Sequence, residues 1–260
     1  MALADHLREF RNRLFVSLCS VIIGAVVGWI LYDELLKLLQ QPLDATIRKL
    51  EEGGNPDIRP VINSVAGGFL LQVKVALTAG LVFSCPVWLY QLWAFIMPGL
   101  HRTERKWTLI FVSVAGPLFL AGVALGYYVL PKGLAVLLGF TPEGVSNLID
   151  VKDYLNFILR ILIVFGISFE LPLFVVLLNL AGAVKARQLA RWRSWIIFAL
   201  FIFAAVATPS TDPITMLMLA IPMSILFLIS EQIARFTDRR RGVDSEPDYD
   251  SFDDDVASPL

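Results

Sequence analysis

A single carboxylate, Glu170, lies in the middle of an otherwise apolar run from Tyr154 to Leu180. A charged carboxylate at the centre of a bilayer costs about 2.5–3.5 kcal/mol on insertion scales. Two residues later, Pro172 lacks an N–H group and therefore leaves the carbonyl of Ser168 without its helical donor. Together these residues predict a polar intramembrane site, at which a polar group passes, docks or exchanges a proton.

Two further carboxylates lie among cations at the edges of apolar runs. Glu9 stands between arginines just before the first run, and Glu104 follows an aromatic segment that contains Trp93 and Phe95. One interpretation is that the cations anchor the topology, that the aromatic residues belong to an interfacial belt, and that Glu9 pairs with Arg13 four residues on. The other is that both carboxylates bind guanidinium groups of a visiting peptide, because Arg–carboxylate bonds are directional and charge-assisted.

No set of residues in the sequence indicates catalysis. There is no GxxxxGK[ST] loop for a nucleotide and no HExxH motif, and both histidines, His6 and His101, lie near the ends of predicted helices. Cys19 and Cys85 lie inside apolar runs without CxxC spacing, which favours a packing role. We therefore expect neither an enzyme nor a metal ion or cofactor, and nothing indicates nucleic-acid binding.

The composition is that of a polytopic membrane protein, with 57% hydrophobic and 17% charged residues. A span needs about 20 helical residues. The fifth apolar run is short, the last two are marginal, and the second is long enough to tilt or to project from the bilayer. The alternative for the last two is one re-entrant hairpin, broken at Thr208-Pro209 and Asp212-Pro213. The runs are Leu14–Leu36, Phe69–Met97, Trp107–Leu130, Tyr154–Leu180, Trp195–Ala207 and Ile214–Ile233.

The distribution of lysine and arginine predicts the orientation. Basic residues are concentrated before the first run, in the second and fourth loops, and after the sixth run, which places both termini in the cytoplasm. The first loop, from about Lys37 to Gly68, is polar and could form a small cap outside the membrane. The predicted organisation is a six-helix domain over residues 1–236 and a disordered acidic tail over residues 237–260.

Taken together, these segments resemble the TatC family, the multi-spanning subunit of the twin-arginine protein translocase. The resemblance covers about His6 to Phe236, and its motifs occur in the order and at the topological positions typical of the family. The motifs are His6-Leu-Arg-Glu-Phe-Arg-Asn-Arg-Leu14, Pro86-Val-Trp-Leu-Tyr-Gln-Leu-Trp-Ala-Phe-Ile-Met-Pro98, His101-Arg-Thr-Glu-Arg105, Phe165-Gly-Ile-Ser-Phe-Glu-Leu-Pro172 and Ala220-Ile-Pro222.

The resemblance implies an all-α bundle of six transmembrane helices with a concave face, which receives folded proteins that carry twin-arginine signal peptides. It assigns signal-peptide binding to Glu9, Arg11, Phe95 and Glu104. It also implies a complex with TatA- and TatB-type single-span subunits, in contact with membrane lipid and with further copies of the chain, in the bacterial cytoplasmic membrane.

Further positions follow from the resemblance. Glu170, with Pro172, Thr208 and Asp212, would form the intramembrane polar site that contacts partner helices, and Pro42 matches a structural proline after the first span. The chain departs from the family where Met216 replaces a frequent Gln, and where Leu228 replaces a frequent Glu, with Glu231 three residues on.

Two alternatives to a receptor and assembly platform are open from the residues. A proton-coupled transporter of small solutes would use Glu170 as its proton carrier. The absence of a convincing internal repeat and of a second deep charge weighs against it. A purely structural membrane scaffold would leave the carboxylates at the rim unexplained.

Overall fold

The computed structural model describes residues 3–52, 58–61, 66–100, 105–139, 147–180, 182–208 and 213–241. In these ranges the chain is almost entirely helical. The helices are α1 (Leu3–Ile30), α2 (Tyr32–Glu52), α3 (Gly67–Phe83), α4 (Cys85–Leu100), α5 (Arg105–Gly139), α6 (Val151–Leu180), α7 (Ala186–Ala207) and α8 (Pro213–Arg241), and the strands are β1 (Ile58–Val61) and β2 (Asn147–Asp150).

The number and order of the spans agree with the prediction of a six-span helical protein. In the described part of the chain, five helices are long and apolar enough to cross a membrane: α1, α5, α6, α7 and α8. A sixth span is obtained when α3 and α4 are counted together as one bent pair. The protein is therefore a multi-pass helical membrane protein.

The second apolar run is not the continuous tilted helix that its length suggested. It is bent by 59° between α3 and α4. Pro86 removes a backbone donor just after the bend, while the Ser84 hydroxyl donates to the carbonyl of Gly80 at 2.7 Å and the Trp88 indole donates to that of Leu81 at 2.9 Å. The indole thus satisfies the carbonyl of Leu81 at the end of α3, while the carbonyl of Gly80 also accepts from the backbone N–H of Ser84 at 3.0 Å.

The last two helices are longer than their apolar runs. α7 has 22 residues and α8 has 29. The additional turns are charged and lie at the start of α7 and the end of α8, where Arg193 and Arg235 both contact Glu231. α7 and α8 each qualify as a separate span. Within the described ranges the bent helix pair is α3–α4. A re-entrant hairpin formed by α7 and α8 is therefore not favoured.

The first loop contains a helix and a strand that its polar composition did not predict. α2 buries Leu39, Leu43 and Ile47, which are spaced four residues apart along one face. β1 then pairs in parallel with β2, from Ile58 opposite Asn147 to Val61 opposite Asp150. The first loop therefore contains α2 and one strand of a two-stranded sheet, and a position outside the membrane stays a prediction.

Pro42 has a structural role within α2. Its missing N–H leaves the carbonyl of Leu38 without a helical donor, and the hydroxyl of Tyr127 from α5 donates to that carbonyl at 2.9 Å. The hydroxyl of Tyr154 from α6 donates to the neighbouring carbonyl of Leu39 at 2.6 Å. The proline thus exposes a backbone acceptor through which α2 is attached to the bundle.

Small residues bring α1 and α3 into close backbone contact. A Cβ atom on Gly80 would lie 2.6 Å from the backbone nitrogen of Ala25 and 2.6 Å from the backbone oxygen of Val21. On the other side, a Cβ atom on Gly24 would lie 2.8 Å from the oxygen of Gly80. Such contacts are typical of membrane helices that associate through small residues. They fix α1 against α3, on one side of the bend that leads into α4.

Three apolar clusters of described residues hold the remaining helices together. The largest joins α2, α3, α5, α6, α7 and α8, and the second joins α4, α5 and α6 around Trp93, Phe119 and Leu177. The third joins α7 to α8 through Leu189, Phe227 and Ala234. Trp93 is 2% exposed, which corrects the interpretation of this residue as part of an interfacial belt. Residues two apart on a helix point in nearly opposite directions, and burial of Trp93 therefore leaves Phe95 facing a different surface.

Candidate functional site

The candidate peptide-binding residues lie where the start of α1 meets the end of α4. Phe95 from α4 stacks on His6 from α1, with ring centroids 4.5 Å apart and an interplanar angle of 20°. Phe10, one helical turn after His6, contacts the same ring at 5.3 Å in a tilted arrangement. These three rings and Glu9 define what we call the N-terminal rim, an aromatic surface that joins two helix ends.

Glu9 is held in place by an arginine on its own helix. Arg13 donates from Nε at 2.9 Å and from Nη2 at 2.8 Å, and both bonds go to Oε1 of Glu9. Arg13 also donates from Nη1 to Oε1 of Gln91 on α4 at 3.3 Å. The predicted i,i+4 pair is therefore confirmed, and Arg13 additionally connects it to α4.

Glu9 retains capacity for a further donor. The side chains of Glu9 and Arg13 are 25% and 26% exposed, and within the described ranges no hydrogen bond to Oε2 of Glu9 is found. A carboxylate oxygen accepts more than one hydrogen bond. An accessible, oriented acceptor is thus present beside the aromatic surface.

Of the other two predicted rim residues, the structure describes Arg11 but not Glu104. Arg11 is exposed on α1, between Glu9 and Arg13. Glu104 lies outside the described residues, in the segment between α4 and α5. The structure therefore brings Glu9 and Phe95 onto adjacent helix ends, whereas Arg11 is two residues from Glu9 and points to a different side of α1.

Glu170 occupies an apolar environment in the middle of α6. Both carboxylate oxygens are buried, and neither has a hydrogen-bond partner among the described residues. The indole nitrogen of Trp93 is likewise buried and unpartnered. The indole approaches Glu170 closely enough for an electrostatic interaction, but it does not form a hydrogen bond by distance and angle. A buried carboxyl group without a partner is unfavourable, and a carboxyl group of this kind within a membrane helix is a candidate functional site.

The remaining members of the predicted intramembrane site make structural bonds. The carbonyl of Pro172 accepts a hydrogen bond from the hydroxyl of Ser230 on α8 at 2.9 Å. Thr208 is buried at the end of α7, where its hydroxyl donates to the carbonyl of Ala204 at 2.8 Å. Asp212 lies outside the described residues. Pro172 thus connects α6 to α8, while Thr208 closes the last turn of α7.

Sequence reasoning missed an ion-paired cluster between α7 and α8. Glu231 is fully buried and accepts two bonds from Arg193, at 2.9 Å and 2.7 Å, and one from Arg235 at 2.6 Å. The i,i+4 spacing of Glu231 and Arg235 was a usable signal, but Arg193 is 38 residues away and was interpreted only as a topology anchor. Leu228, which stands where the family frequently has Glu, lies on α8 one helical turn before Glu231 and is 37% exposed.

A second missed residue, Asp238, lies just beyond the predicted end of the folded domain. α8 continues to Arg241, and Asp238 is 4% exposed. Its carboxylate accepts from the backbone N–H of Ala186, the first residue of α7, at 2.6 Å, and from the side chain of Asn179 on α6 at 3.0 Å. A carboxylate at a helix N-terminus is stabilising. Asp238 therefore joins three helix ends.

A metal site is not found among the described residues, where no group of three His, Cys, Asp or Glu side chains is close enough to bind an ion. The functional candidates are therefore the N-terminal rim and Glu170. The rim combines a carboxylate with stacked rings, which suits a guanidinium-bearing peptide, and Glu170 offers a polar contact inside the membrane.

Known proteins similar to this chain belong to one family. The sequence model described as "Sec-independent protein translocase protein (TatC)" matches residues 5–222. A relative of that name from Frankia casuarinae is 43% identical over 266 aligned residues, covering 100% of this chain and 73% of the relative. One from Magnetococcus marinus is 34% identical and covers 99% of this chain and 95% of the relative.

Solved structures agree with the sequence relatives. A crystal structure of the twin-arginine translocase receptor TatC superposes with a TM-score of 0.72 at 30% identity, covering 90% of this chain and 100% of that one. A second crystal structure, of TatC in DDM, gives a TM-score of 0.71 and covers 88% of this chain and 99% of that one. The fold, the order of the motifs and these matches have one explanation: the chain belongs to the TatC family of Sec-independent protein translocase proteins.

Proposed function

We propose that this chain is the receptor subunit of a twin-arginine export system. It binds the twin-arginine signal peptides of folded precursors at the N-terminal rim, and it then assembles with TatA- and TatB-type single-span subunits. The observation that carries the proposal is the oriented carboxylate of Glu9, which lies one residue from Phe10 in the aromatic surface of the rim.

The rim suits an arginine pair for electrostatic and geometric reasons. Arg13 fixes the Glu9 carboxylate through Oε1 and leaves Oε2 for an incoming guanidinium. Guanidinium groups also stack on aromatic faces, and a planar fork of donors recognises a carboxylate in a way that an ammonium group does not. Glu104 would supply the second carboxylate, and Arg11 would help to orient the bound segment.

Glu170 is proposed to contact a partner helix. Ile167, Leu171 and Phe174 form an exposed stripe at helical spacing on α6, and Glu170 lies at the edge of this stripe, three residues after Ile167, with its carboxylate oxygens buried. A partner helix that packs on the stripe and inserts a polar group towards Glu170 would satisfy the unpaired carboxyl in a medium that offers no water. Pro172, Thr208 and Asp212 are proposed to shape the same region, beside the short apolar parts of α7 and α8.

The orientation and the energy source are part of the proposal. The basic residues around the N-terminal rim favour a cytoplasmic location for both termini in a bacterial plasma membrane. Proton-motive force would drive translocation, since the sequence lacks a nucleotide-binding loop. The chain would act as a receptor without enzymatic activity, surrounded by lipid and present in several copies within the complex.

A proton-coupled transporter of small solutes is not favoured. Its support was the intramembrane position of Glu170 and the prolines that interrupt the helices, and the relatives of this chain are named as protein translocase components. An unpaired carboxyl beside an exposed apolar stripe is accounted for by a partner helix. Solute uptake is therefore not needed to explain it.

Site-specific photocross-linking tests the proposal. A photoreactive residue at position 95 or 104 should cross-link to a twin-arginine precursor, and one at position 170 should cross-link to single-span subunits. Replacement of the arginine pair by two lysines should abolish the first set and leave the second detectable. Equal cross-linking of twin-arginine and twin-lysine precursors at positions 95 and 104 would reject the receptor assignment.

A further inference from the structure

Two cations, Lys74 and Arg160, lie within the apolar runs of α3 and α6, where these two helices contact each other. Lys74 donates from Nζ to Oδ1 of Asn156 on α6 at 2.7 Å. Arg160 follows Asn156 at the i,i+4 spacing that makes side chains neighbours on a helix. Lys74 and Arg160 are exposed, and Asn156 is half-buried. We call these three side chains the α3–α6 basic cluster.

The α3–α6 basic cluster presents hydrogen-bond donors without a counter-charge. A lysine has no acceptor, so its contact with Oδ1 turns the Nδ2 donors of Asn156 away from Lys74. Within the described ranges, neither these donors nor Arg160 have a hydrogen-bond or ion-pair partner, and the amide of Asn156 is the partner found for Lys74. Two like charges at the edge of a medium of low dielectric constant repel each other. The cluster therefore lacks an anion.

The depth of the α3–α6 basic cluster matches the edge of the hydrocarbon core. Ile167 is the midpoint of the apolar run of α6, and Asn156 precedes it by eleven residues, which rise by about 16 Å. Arg160 precedes Ile167 by seven residues, or about 10 Å. The hydrocarbon core extends about 15 Å from its centre. Asn156 and its partner Lys74 therefore lie at the level where lipid headgroups begin, and Arg160 lies one helical turn deeper.

The direction of the two helices turns both cations towards the same membrane surface. α3 and α6 follow the paired strands β1 and β2, so both helices begin on what we call the strand side of the membrane. Side chains on a helix point back towards its N-terminus, and Lys74 and Arg160 therefore extend towards the headgroups on the strand side. Deeper in the membrane, Leu77 on α3 is 50% exposed and Ile167 on α6 is 47% exposed. Cations above apolar side chains match the phosphate and acyl chains of a phospholipid.

We infer that the α3–α6 basic cluster binds the phosphate of an anionic phospholipid in the leaflet on the strand side. The guanidinium of Arg160 matches two phosphate oxygens at once, while Lys74 supplies a second charge and Asn156 a neutral donor. An anionic lipid supplies the missing counter-charge, whereas a zwitterionic lipid brings an ammonium group that both cations repel. Leu77 and Ile167 pack against the acyl chains. The lipid thus joins α3 to α6, and this role is independent of signal-peptide binding.

Native mass spectrometry of the full-length protein in detergent tests the lipid site, because it counts individual bound lipids. The protein is titrated with phosphatidylglycerol and, in parallel, with phosphatidylcholine of the same acyl chains. We expect the first phosphatidylglycerol to bind at least fivefold more tightly than phosphatidylcholine. Arg160→Gln and Lys74→Gln should each remove most of this preference. Arg48→Gln takes the same charge from an exposed position on α2 and should leave the preference unchanged.

A variant with an internal counter-charge separates lost binding from lost folding. Asn156→Asp keeps the shape of the side chain and gives Lys74 a carboxylate partner in place of the amide. We expect Asn156→Asp to lose the preference for phosphatidylglycerol and to unfold, in lipid-free detergent, at a temperature no lower than that of the wild type. Gln41→Glu adds the same charge at an exposed position on α2 and should retain the preference.

Four results would overturn the lipid site. The first is equal affinity of the wild type for the two lipids, which is expected if the cations only reach water. The second is an intact preference for phosphatidylglycerol in Arg160→Gln or in Lys74→Gln, and the third is an intact preference in Asn156→Asp. The fourth is an equal loss in Arg48→Gln, which would indicate general attraction to basic residues. An intact preference combined with lost cross-linking to single-span subunits in Arg160→Gln would assign the cluster to a carboxylate of a partner helix instead.

Discussion

His6 and Phe95 are stacked with ring centroids 4.5 Å apart, although they lie on different helices and are 89 positions apart in the chain. The contact joins the start of α1 to the end of α4. It therefore brings the segment that carries Glu9 to the segment that leads towards Glu104. In this way the fold assembles the proposed peptide-binding surface from two regions whose individual motifs are short.

Removal of the Phe95 ring should weaken peptide binding without unfolding the protein. Phe95→Leu keeps apolar volume but loses the stacking contacts with His6 and Phe10. The variant also loses an aromatic face on which an incoming guanidinium group would stack, and such a cation–π contact contributes about 0.5–1 kcal/mol at an exposed site. We expect the affinity for a twin-arginine peptide to fall about two- to fivefold, measured by titration in nanodiscs. Phe95→Tyr, which keeps the ring, is the control, and an equal loss in Phe95→Tyr would contradict a role for stacking.

Replacement of Glu170 should stabilise the isolated protein while it impairs export. The carboxylate oxygens are buried without a partner, and a buried unpaired polar group costs about 1–3 kcal/mol. Glu170→Leu is therefore expected to raise the thermal unfolding temperature in detergent and to reduce cross-linking to single-span subunits. A lowered unfolding temperature would show that Glu170 contributes favourable interactions within the chain itself.

Trp93 offers a second probe of the same site. The indole N–H is buried and unpartnered next to Glu170, and Trp93→Phe removes this donor while it keeps an aromatic ring in the cluster with Phe111. We expect export by Trp93→Phe to fall less than by Glu170→Leu, measured on the same precursor. Wild-type cross-linking of partner helices in Glu170→Leu would instead remove the proposed role of both residues.

The buried cluster of Glu231 should be important for stability. Glu231→Gln leaves the guanidinium groups of Arg193 and Arg235 without their counter-charge. Breaking a fully buried pair costs about 3–5 kcal/mol. Arg193 is 41% exposed and Arg235 is 36% exposed, so solvent screens part of this loss, and we expect a smaller decrease, measured as a lower thermal unfolding temperature. Glu34→Gln, at an exposed site on α2, is the control. Equal unfolding temperatures of the two variants would refute the expectation.

A methyl group at Gly80 should separate α1 from α3. The new Cβ atom of Gly80→Ala would lie 2.6 Å from backbone atoms of α1, which cannot rotate away. Overpacking of this kind costs about 1–3 kcal/mol, measured as a lower thermal unfolding temperature. Gly68→Ala on the same helix meets nothing within 4 Å and should not destabilise the protein. An unfolding temperature of Gly80→Ala at or above that of the wild type would contradict the observed contact.

Local spacing predicted much of the architecture. Apolar runs long enough to span gave the order of the membrane helices, and the four-residue spacing of Glu9 and Arg13 predicted their ion pair. α2 was missed because its apolar residues form one narrow stripe in a segment that is polar by composition. The stripe of Leu39, Leu43 and Ile47 was the available signal.

Contacts between residues far apart in the sequence could not be predicted from local sequence patterns. Neither the pairing of Glu231 with Arg193 nor the capping of α7 by Asp238 has a sequence spacing that identifies it. Trp93 and Phe95 were both assigned to an interfacial aromatic belt, although helical geometry points their side chains about 200° apart around α4. The residues alone left Glu9 and Glu104 open between anchoring the topology and binding guanidinium groups, since arginines and a glutamate beside a membrane span are more often simple anchors. The family resemblance assigned the binding role and added Arg11 and Phe95.

The energetic coupling between Glu9 and the arginine pair of the signal peptide, measured as binding affinities of protein and peptide variants, tests the central claim most directly. The affinities of a twin-arginine and a twin-lysine peptide are measured for the wild type, Glu9→Gln and Arg13→Gln, the last of which removes the internal ion pair and keeps Glu9. A charge-assisted hydrogen bond contributes about 1.5–3 kcal/mol. The account predicts that Glu9→Gln weakens twin-arginine binding at least tenfold and twin-lysine binding much less, while Arg13→Gln retains the preference for arginine. Equal losses for both peptides, or unchanged binding in Glu9→Gln, would contradict it.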